Sequence, residues 1–214
     1  MAENECEIRI RKVIIALSLF YSCTVFADWP EGFLKLQDGV YRGARPQSTG
    51  KESQWATISE LQPVADARTL TVIDLQGGDS WTSAFGAQGE SAEDRENEKF
   101  EVESLGLAFL NEPLSSFSSV DDNEDQKIET VLEFMQRAAQ DPIHFQVFVH
   151  CQRGRDRTGL VSALFRVRYQ GWEPSKAYQE WLDLGHSDFI GEVLSQALDQ
   201  YFFTKTKWSP EGPL

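Results

Sequence analysis

The sequence predicts a single α/β domain whose central, mostly parallel sheet is flanked by helices. Two observations predict it: short apolar segments of strand length alternate with longer segments whose apolar residues recur at helical spacing. Helices that connect successive strands make those strands parallel and cover both faces of the sheet. With 214 residues, of which 41% are hydrophobic, the chain has the size and apolar content of one domain with a substantial core.

Four apolar segments are predicted as strands because they are short and are bounded by residues that favour turns. They comprise residues 40–44, 69–75, 107–110 and 143–149. The glycine-rich stretch after the second of them, residues 77–89, is predicted to be a surface loop.

Six segments are predicted as helices from apolar periodicity, capping residues and charge. Ser48 or Thr49 caps the first, at residues 51–61. A run of charges gives the second, at residues 90–104, a solvated face, and Pro174 opens the fifth, at residues 174–184. The fourth begins near Leu160 and presents one apolar face. The third has an apolar stripe formed by Ile128, Val131, Leu132 and Met135. The predicted helices are residues 51–61, 90–104, 121–140, the segment from 160 onward, 174–184 and 187–203.

The ten residues from His150 to Gly159 form a loop between the last strand and the fourth helix. Such a loop points backbone N–H groups and the positive end of the helix dipole at one spot, which favours an anion. Gly154 permits the tight backbone path that turns the amides inward. In the positive electrostatic potential of these amides and the helix dipole, Cys151 is expected to be a thiolate nucleophile. Arg157 can bind two oxygens of a phosphoryl group.

The same stretch fits transfer of a phosphoryl group from an ester to the cysteine and then to water. Thr158 can donate a hydrogen bond to the sulfur when the thiolate leaves, and His150 can brace the loop from behind. Arginine and backbone amides supply the charge stabilisation, so neither a metal nor another cofactor is expected. A buried structural cysteine would not require glycine, arginine and threonine at these offsets. The predicted phosphate-binding residues are Gln152, Arg153, Gly154, Arg155, Asp156 and Arg157.

The pattern His-Cys-x2-Gly-x2-Arg-Thr-Gly resembles the signature loop of the protein tyrosine phosphatase superfamily, in its dual-specificity branch. Residues 40–46, 72–75 and 171–175 resemble other segments of that branch, and the likeness spans about residues 34–186. It implies a phosphoric monoester hydrolase. By the resemblance, the nucleophile is Cys151, the phosphate ligand is Arg157, and hydrolysis of the cysteinyl phosphate is assisted by Thr158.

A general acid must protonate the leaving oxygen of the ester. By the resemblance it lies between the third strand and the helix before the signature strand, where Asp121 is the predicted acid and Asp122 and Asp125 are neighbouring candidates. The Trp-Pro-Asp triplet of tyrosine phosphatases does not occur there. Asp156 is the alternative, because it resembles the Asp-Arg-Thr of some phosphoinositide phosphatases. Acids in the first turn of a helix can also serve only to complement its dipole.

The substrate is predicted from the two additional charges of the loop, Arg153 and Arg155, which a single phosphotyrosine does not need. An inositol polyphosphate would use them, and phytase-like members of the superfamily are also secreted bacterial enzymes. Arg42 and Arg45 either extend this basic surface or are ordinary turn residues. A phosphoprotein is the alternative substrate, which would make the protein a dual-specificity protein phosphatase.

The overall charge restricts the partners. The chain has a formal net charge of −14 and a sequence pI near 4.6, which argues against general binding to nucleic acids or anionic membranes.

Two other classes of protein, besides phosphatases, use similar loops. A phosphate-binding module would not need the nucleophile, and an arsenate reductase usually needs further cysteines.

Residues 1–27 have the order of a secretory signal peptide, with basic residues before the uncharged run from Val13 to Ala27. That run is too short to span a membrane. We expect cleavage after Ala27, a phosphatase domain over residues 28–214, a secreted or periplasmic location and no stable membrane anchor. A buried N-terminal helix or strand is the alternative. After cleavage Cys151 would be the one remaining cysteine, so no intramolecular disulfide could form.

Overall fold

The computed structural model describes residues 29–49, 52–61, 70–77, 91–115, 120–186 and 196–213. The predicted signal peptide lies outside this part of the chain, as do most of the glycine-rich loop and the start of the last predicted helix. The strands are β1 (Leu34–Gln37), β2 (Val40–Ala44), β3 (Ser48–Thr49), β4 (Glu52–Ser53), β5 (Leu70–Asp74), β6 (Ala108–Asn111), β7 (Gln146–Cys151), β8 (Trp208–Ser209) and β9 (Gly212–Pro213). The helices are α1 (Gln54–Ser59), α2 (Ala92–Ser104), α3 (Asp122–Gln140), α4 (Asp156–Gln170), α5 (Pro174–Asp183) and α6 (Gln196–Thr206).

The central sheet has five strands in the order β1-β2-β7-β5-β6. β1 is antiparallel to β2, whereas the pairs β2–β7, β5–β7 and β5–β6 are parallel. β7, which leads into the signature loop, is therefore the middle strand. The prediction of an α/β domain with a mostly parallel sheet is confirmed.

Alternate side chains of β7 enter two different cores, because successive residues of a strand point to opposite faces. Val149 and Cys151 face the larger core, to which α3, α4, α5 and α6 contribute, and Phe148 faces the smaller core with α1 and α2. Every residue of α4 from Thr158 to Arg166 is buried. The prediction of a single apolar face for this helix is wrong, because α3, α5 and α6 all pack on it.

The strand before the signature loop begins and ends later than predicted. A turn comes first, closed by a hydrogen bond from the Phe145 N–H to the Asp141 carbonyl at 2.9 Å. Ile143 lies in this turn and is 63% exposed. Pairing with β5 starts at Gln146 and the strand runs to Cys151. The predicted range was wrong because an apolar turn residue is indistinguishable, by composition, from the first residue of a strand.

The ends of two helices also differ from the prediction. Ser53 is the N-cap of α1, and its side chain accepts the Trp55 N–H at 3.2 Å. Ser48 and Thr49, the predicted caps, instead pair with β4 as β3. In α6 the helix continues to Thr206, past the predicted end. None of the helices in the described ranges is both long enough and apolar enough to cross a membrane.

Candidate active site

Cys151 is the last residue of β7, at the carboxyl end of the middle strand. Ligands bind at this edge of parallel sheets, because strand ends, loops and helix N-termini meet there. Residues 152–155 alone lie between the strand and α4, so the predicted ten-residue loop and the predicted helix start near Leu160 are wrong. His150 and Cys151 belong to β7, and α4 begins at Asp156. Cys151 is 3% exposed, and its carbonyl accepts the Arg45 N–H at 2.9 Å, which ties the start of the loop to the end of β2.

Gly154 brings the signature loop into contact with β2. Its φ of +65° lies in the left-handed region that favours glycine. A Cβ atom at this position would lie 2.5 Å from the carbonyl carbon and oxygen of Gly43. The Arg42 guanidinium donates a hydrogen bond to the Gly154 carbonyl. Because Arg42 is 1% exposed, its interpretation as part of a basic surface or as a turn residue is wrong.

Arg157 and Thr158 lie in the first turn of α4. They are predicted to bind the phosphate and to assist hydrolysis, respectively. The Arg157 Nη1 donates to the carbonyls of Leu75, after β5, and Leu114, after β6, at 3.3 and 3.4 Å. The arginine is thus held by the loops that follow two other strands. Thr158 is fully buried, and its hydroxyl has no hydrogen-bond partner among the described residues. Such a hydroxyl is free to donate to a sulfur or an incoming group, and both roles remain predictions.

His150 lies on the other face of β7 from Cys151. Its Nε2 is 2.9 Å from Glu98 Oε1, and its Nδ1 is 3.8 Å from Asp74 Oδ1. Arg45 Nε lies 2.9 Å from the second Glu98 oxygen. Burial by itself lowers the pKa of His150, but Glu98 and then Asp74 outweigh it, so that the pKa is raised. The imidazole between Glu98 and Asp74 therefore braces the strand behind the nucleophile.

Glu98 is an exception to the prediction that the charge run of α2 forms a solvated face. Its side chain is 0% exposed. It precedes the buried Val102 by one helical turn, so the two residues lie on the same face of the helix. That spacing is the signal from which its burial could have been predicted.

Asp156, the alternative acid, binds a histidine that was not predicted as a site residue. His186 Nδ1 is 2.8 Å from Asp156 Oδ1, and its Nε2 is 2.9 Å from Asp199 Oδ1. The imidazole stacks on Trp181 with ring centroids 3.8 Å apart. Burial lowers the pKa of His186, but the bonds to Asp156 and Asp199 outweigh it and leave the pKa raised. Asp156 Oδ1 is thus engaged by His186 at the start of α4, and its role as the alternative acid remains a prediction.

Trp181 also supports the start of α4. Its Nε1 donates to the Arg155 carbonyl at 3.0 Å. Gly159, the last residue of the signature stretch, permits this approach, because a Cβ atom there would lie 2.1 Å from the same nitrogen. The packing of α5 on α4 therefore requires glycine at this position.

The outer arginines of the loop border a shallow pocket of about 310 Å³. Arg153 and Gln152 are exposed, and Arg153 makes no hydrogen bond or ion pair with the described part of the chain. Arg155 Nη2, in contrast, donates to Glu31 Oε1 at 2.8 Å. Since Glu31 and Asp183 line the same pocket, its charge is mixed. Across the described ranges, no group of three or more histidine, cysteine or acidic side chains is arranged to hold a metal ion.

Asp121, the predicted acid, is the N-cap of α3. Its exposed side chain accepts a backbone N–H of the first turn at 2.8 Å, and Asp122 beside it is also exposed. Asp125 lies 2.5 Å from Lys205 Nζ, and this contact holds the pKa of the carboxyl below its ordinary value. Asp125 is therefore the least suitable of the three as a proton donor. The catalytic role of Asp121 remains a prediction, and residues 116–119 before it lie outside the described ranges.

Similar proteins were found by sequence and by structure. The dual specificity protein phosphatase TpbA of Pseudomonas aeruginosa is 33% identical over 75 residues, which are 35% of this chain and 33% of TpbA. The chain thus matches about one third of the length of this curated relative. The catalytic core of the PP-IP phosphatase SIW14 from S. cerevisiae superposes with a TM-score of 0.50 at 16% identity, over 85% of this chain and 96% of that one.

A crystal structure of P. aeruginosa TpbA superposes with a TM-score of 0.50 at 19% identity, over 82% of this chain and 90% of that one. These likenesses show the fold. Residues 42–181, well over half of the chain, match the model of the tyrosine phosphatase family, whose enzymes belong to the predicted class. The chain therefore belongs to the tyrosine phosphatase family.

Proposed function

We propose that the protein is a cysteine-dependent phosphatase that hydrolyses phosphate monoesters through a cysteinyl-phosphate intermediate. The observation that carries this proposal is the position of Cys151, where β7 ends and a short loop enters the N-terminus of α4. An anion at this place meets the backbone N–H groups of the loop and the positive end of a helix dipole. Family membership supports the same chemistry.

The reaction has two steps in this proposal. The Cys151 thiolate attacks phosphorus while Arg157 binds two phosphoryl oxygens, and the ester oxygen leaves with a proton from Asp121. Water then attacks the cysteinyl phosphate while the Asp121 carboxylate takes up its proton, inorganic phosphate is released, and the sulfur departs as a thiolate. The buried Thr158 hydroxyl donates a hydrogen bond to the sulfur in this second step.

Replacement of the nucleophile tests the activity. Cys151→Ser should abolish hydrolysis of para-nitrophenyl phosphate while the circular dichroism spectrum stays unchanged, because an alcohol is not ionised at neutral pH. The unmodified protein should keep its activity in the presence of a chelator. Phosphatase activity that persists in Cys151→Ser, or that requires a divalent metal, would contradict the proposal.

The substrate that we propose is an inositol polyphosphate, as for the secreted, phytase-like members of the superfamily. Arg153 supports it, because an exposed guanidinium without a described partner lies beside the loop in which one phosphate would bind. Arg155 is engaged with Glu31, but Glu31 is 65% exposed. Exposed ion pairs contribute only about 0–1 kcal/mol, so a second phosphate of the substrate can replace this carboxylate.

Single substitutions separate the two arginines. Arg153→Ala should lower kcat/KM for inositol hexakisphosphate about tenfold or more, since a charge-assisted contact is worth about 1.5–3 kcal/mol. Glu31→Gln should raise kcat/KM for this substrate, because the carboxylate that accepts a hydrogen bond from Arg155 is removed. The kcat/KM for para-nitrophenyl phosphate should change little in either variant. Arg168→Ala is the control, because it removes the same charge about 18 Å from the start of α4, at 1.5 Å per residue.

A phosphoprotein is the second candidate substrate. The observation in its favour is the curated relative, which is a dual specificity protein phosphatase, although only 75 residues are matched. Faster turnover of a phosphotyrosine peptide than of any inositol phosphate by the unmodified protein would favour this candidate. Equal losses on all substrates in Arg153→Ala would mean that the arginine only shapes the loop.

A further inference from the structure

Arg42 is a buried cation directly beneath the signature loop. It lies on β2, whose Ala44 is the pairing partner of Cys151, and side chains two residues apart on a strand share a face. Arg42 and Cys151 therefore project from the same face of the sheet on adjacent strands. The guanidinium donates to the Gly154 carbonyl, and its Nε has no hydrogen-bond partner among the described residues.

No carboxylate in the described part of the chain forms an ion pair with this guanidinium. Glu180 is the carboxylate whose charge acts on Arg42, but it is already bound to Arg166 at 2.9 and 3.0 Å. Burial lowers the pKa of Arg42 to about 10, an effect that Cys151 and then Glu180 oppose, so the side chain is still charged at neutral pH. A buried charge without a partner is strongly unfavourable. The arginine thus requires an anion, and the site at Cys151 can supply one.

We infer that Arg42 is the counter-ion of the Cys151 thiolate and a positioning residue for the signature loop. The inference rests on the proposed function in one respect, that Cys151 is the nucleophile. The buried charge favours the thiolate over the thiol. The bond to the Gly154 carbonyl also orients the loop. Because C=O and N–H of a trans peptide point in opposite directions, it turns the following N–H away from β2, toward the anion.

The test is the pH profile of Cys151 alkylation by iodoacetamide in the full chain, with the modified residue identified by mass spectrometry. Arg42→Gln keeps a donor for the Gly154 carbonyl but removes the charge, and the midpoint of the profile should rise by about one pH unit or more. Arg42→Lys keeps the charge, and the midpoint should rise by less than a third of that. Arg168→Gln, the charge control on α4, should leave the midpoint in place. His150, which also interacts with the Cys151 charge, is unchanged in every variant.

An unchanged midpoint in Arg42→Gln would overturn the inference, and so would equal shifts in Arg42→Gln and Arg42→Lys. If neither variant folds, the melting temperatures of Cys151→Ser and the unmodified protein are compared from pH 5 to pH 8. The advantage of the unmodified protein should grow with pH as its thiolate forms, and a constant difference would overturn the inference. Alkylation needs no phosphate ester, so these results are independent of whether the protein is a phosphatase.

Discussion

The Nδ1 atom of His186 lies 2.8 Å from the Oδ1 atom of Asp156, so a buried histidine after α5 holds the first residue of the signature helix. The opposite ring nitrogen contacts Asp199 on α6. The start of α4 is therefore tied to the C-terminal helix through one imidazole. Because the loop enters α4 at this residue, the geometry of the candidate site depends on a part of the chain far from it in sequence.

Loss of this imidazole should destabilise the protein in a pH-dependent way. His186→Asn should lower the free energy of unfolding by about 1.5–3 kcal/mol near pH 6, the scale of one hydrogen bond to a charged group. The pKa of His186 is raised above its ordinary value of 6.5, so the stabilisation is complete below pH 6.5 and is lost as the pH rises through the folded-state pKa. Urea unfolding of both proteins at several pH values measures this stabilisation.

The control for this variant is His144→Asn, which removes an exposed histidine 2.9 Å from Asp141. It should leave the free energy of unfolding nearly unchanged, because both side chains of this pair are exposed. A loss in His186→Asn that grows with rising pH would contradict the assignment of a protonated imidazole.

The general acid can be tested without disturbing the helix that carries it. Asn caps helices about as well as Asp, so Asp121→Asn should keep α3 intact. Hydrolysis of esters with alkyl leaving groups should fall roughly 100-fold or more, the usual scale for a lost general acid. The loss should be smaller with para-nitrophenyl phosphate, whose leaving group needs less protonation. Steady-state kinetics on both substrates provide the measurement.

Asp122→Asn is the matched control, because it changes the neighbouring exposed carboxyl of the same turn. If Asp122→Asn or Asp156→Asn has the leaving-group dependence and Asp121→Asn does not, the acid is assigned to the wrong residue.

Gly159 should be intolerant of even one added methyl group. In Gly159→Ala the new Cβ would meet Trp181 Nε1, and overpacking of this kind costs about 1–3 kcal/mol. Trp181→Ala removes both atoms that clash, Nε1 and Cδ1, so the alanine at position 159 should cost much less in that background. Urea unfolding of the unmodified protein, the two single variants and the double variant measures how strongly the two substitutions affect each other. Costs that simply add would show that the two side chains do not compete for the same space.

The signal peptide is tested in the native host. We expect residues 1–27 to be absent from the mature, exported protein, because basic residues precede the uncharged run that ends at Ala27. N-terminal sequencing of the periplasmic and extracellular fractions decides it. Leu17→Arg interrupts the apolar run and should leave the protein uncleaved in the cytoplasm. An intact Met1 in the cytoplasmic fraction of the unmodified protein would exclude the signal peptide.

Local sequence was sufficient for the α/β class and for the position of the signature loop. The strand and helix around Cys151 are marked by their own apolar patterns, and residues 150–159 are contiguous, so the loop and its chemistry are defined within one short stretch. The cap of α1 and the start of β7 were predicted wrongly. In both places neighbouring residues have nearly equal local preferences. Pairing with the nearby β4 took up Ser48 and Thr49, and pairing with β5, distant in sequence, set the start of β7.

The surroundings of the loop depend on contacts that composition and periodicity do not encode. Arg42 and Gly154 meet because β2 and β7 are neighbours in the sheet, and His186 reaches Asp156 because α5 and α6 pack on α4. Which charges are buried follows from the same packing: Glu98 and Arg42 are enclosed, whereas Arg153 is exposed. A charged residue has the same local preferences whether it is later solvated or enclosed, so its burial and its partner are settled only when distant elements come together.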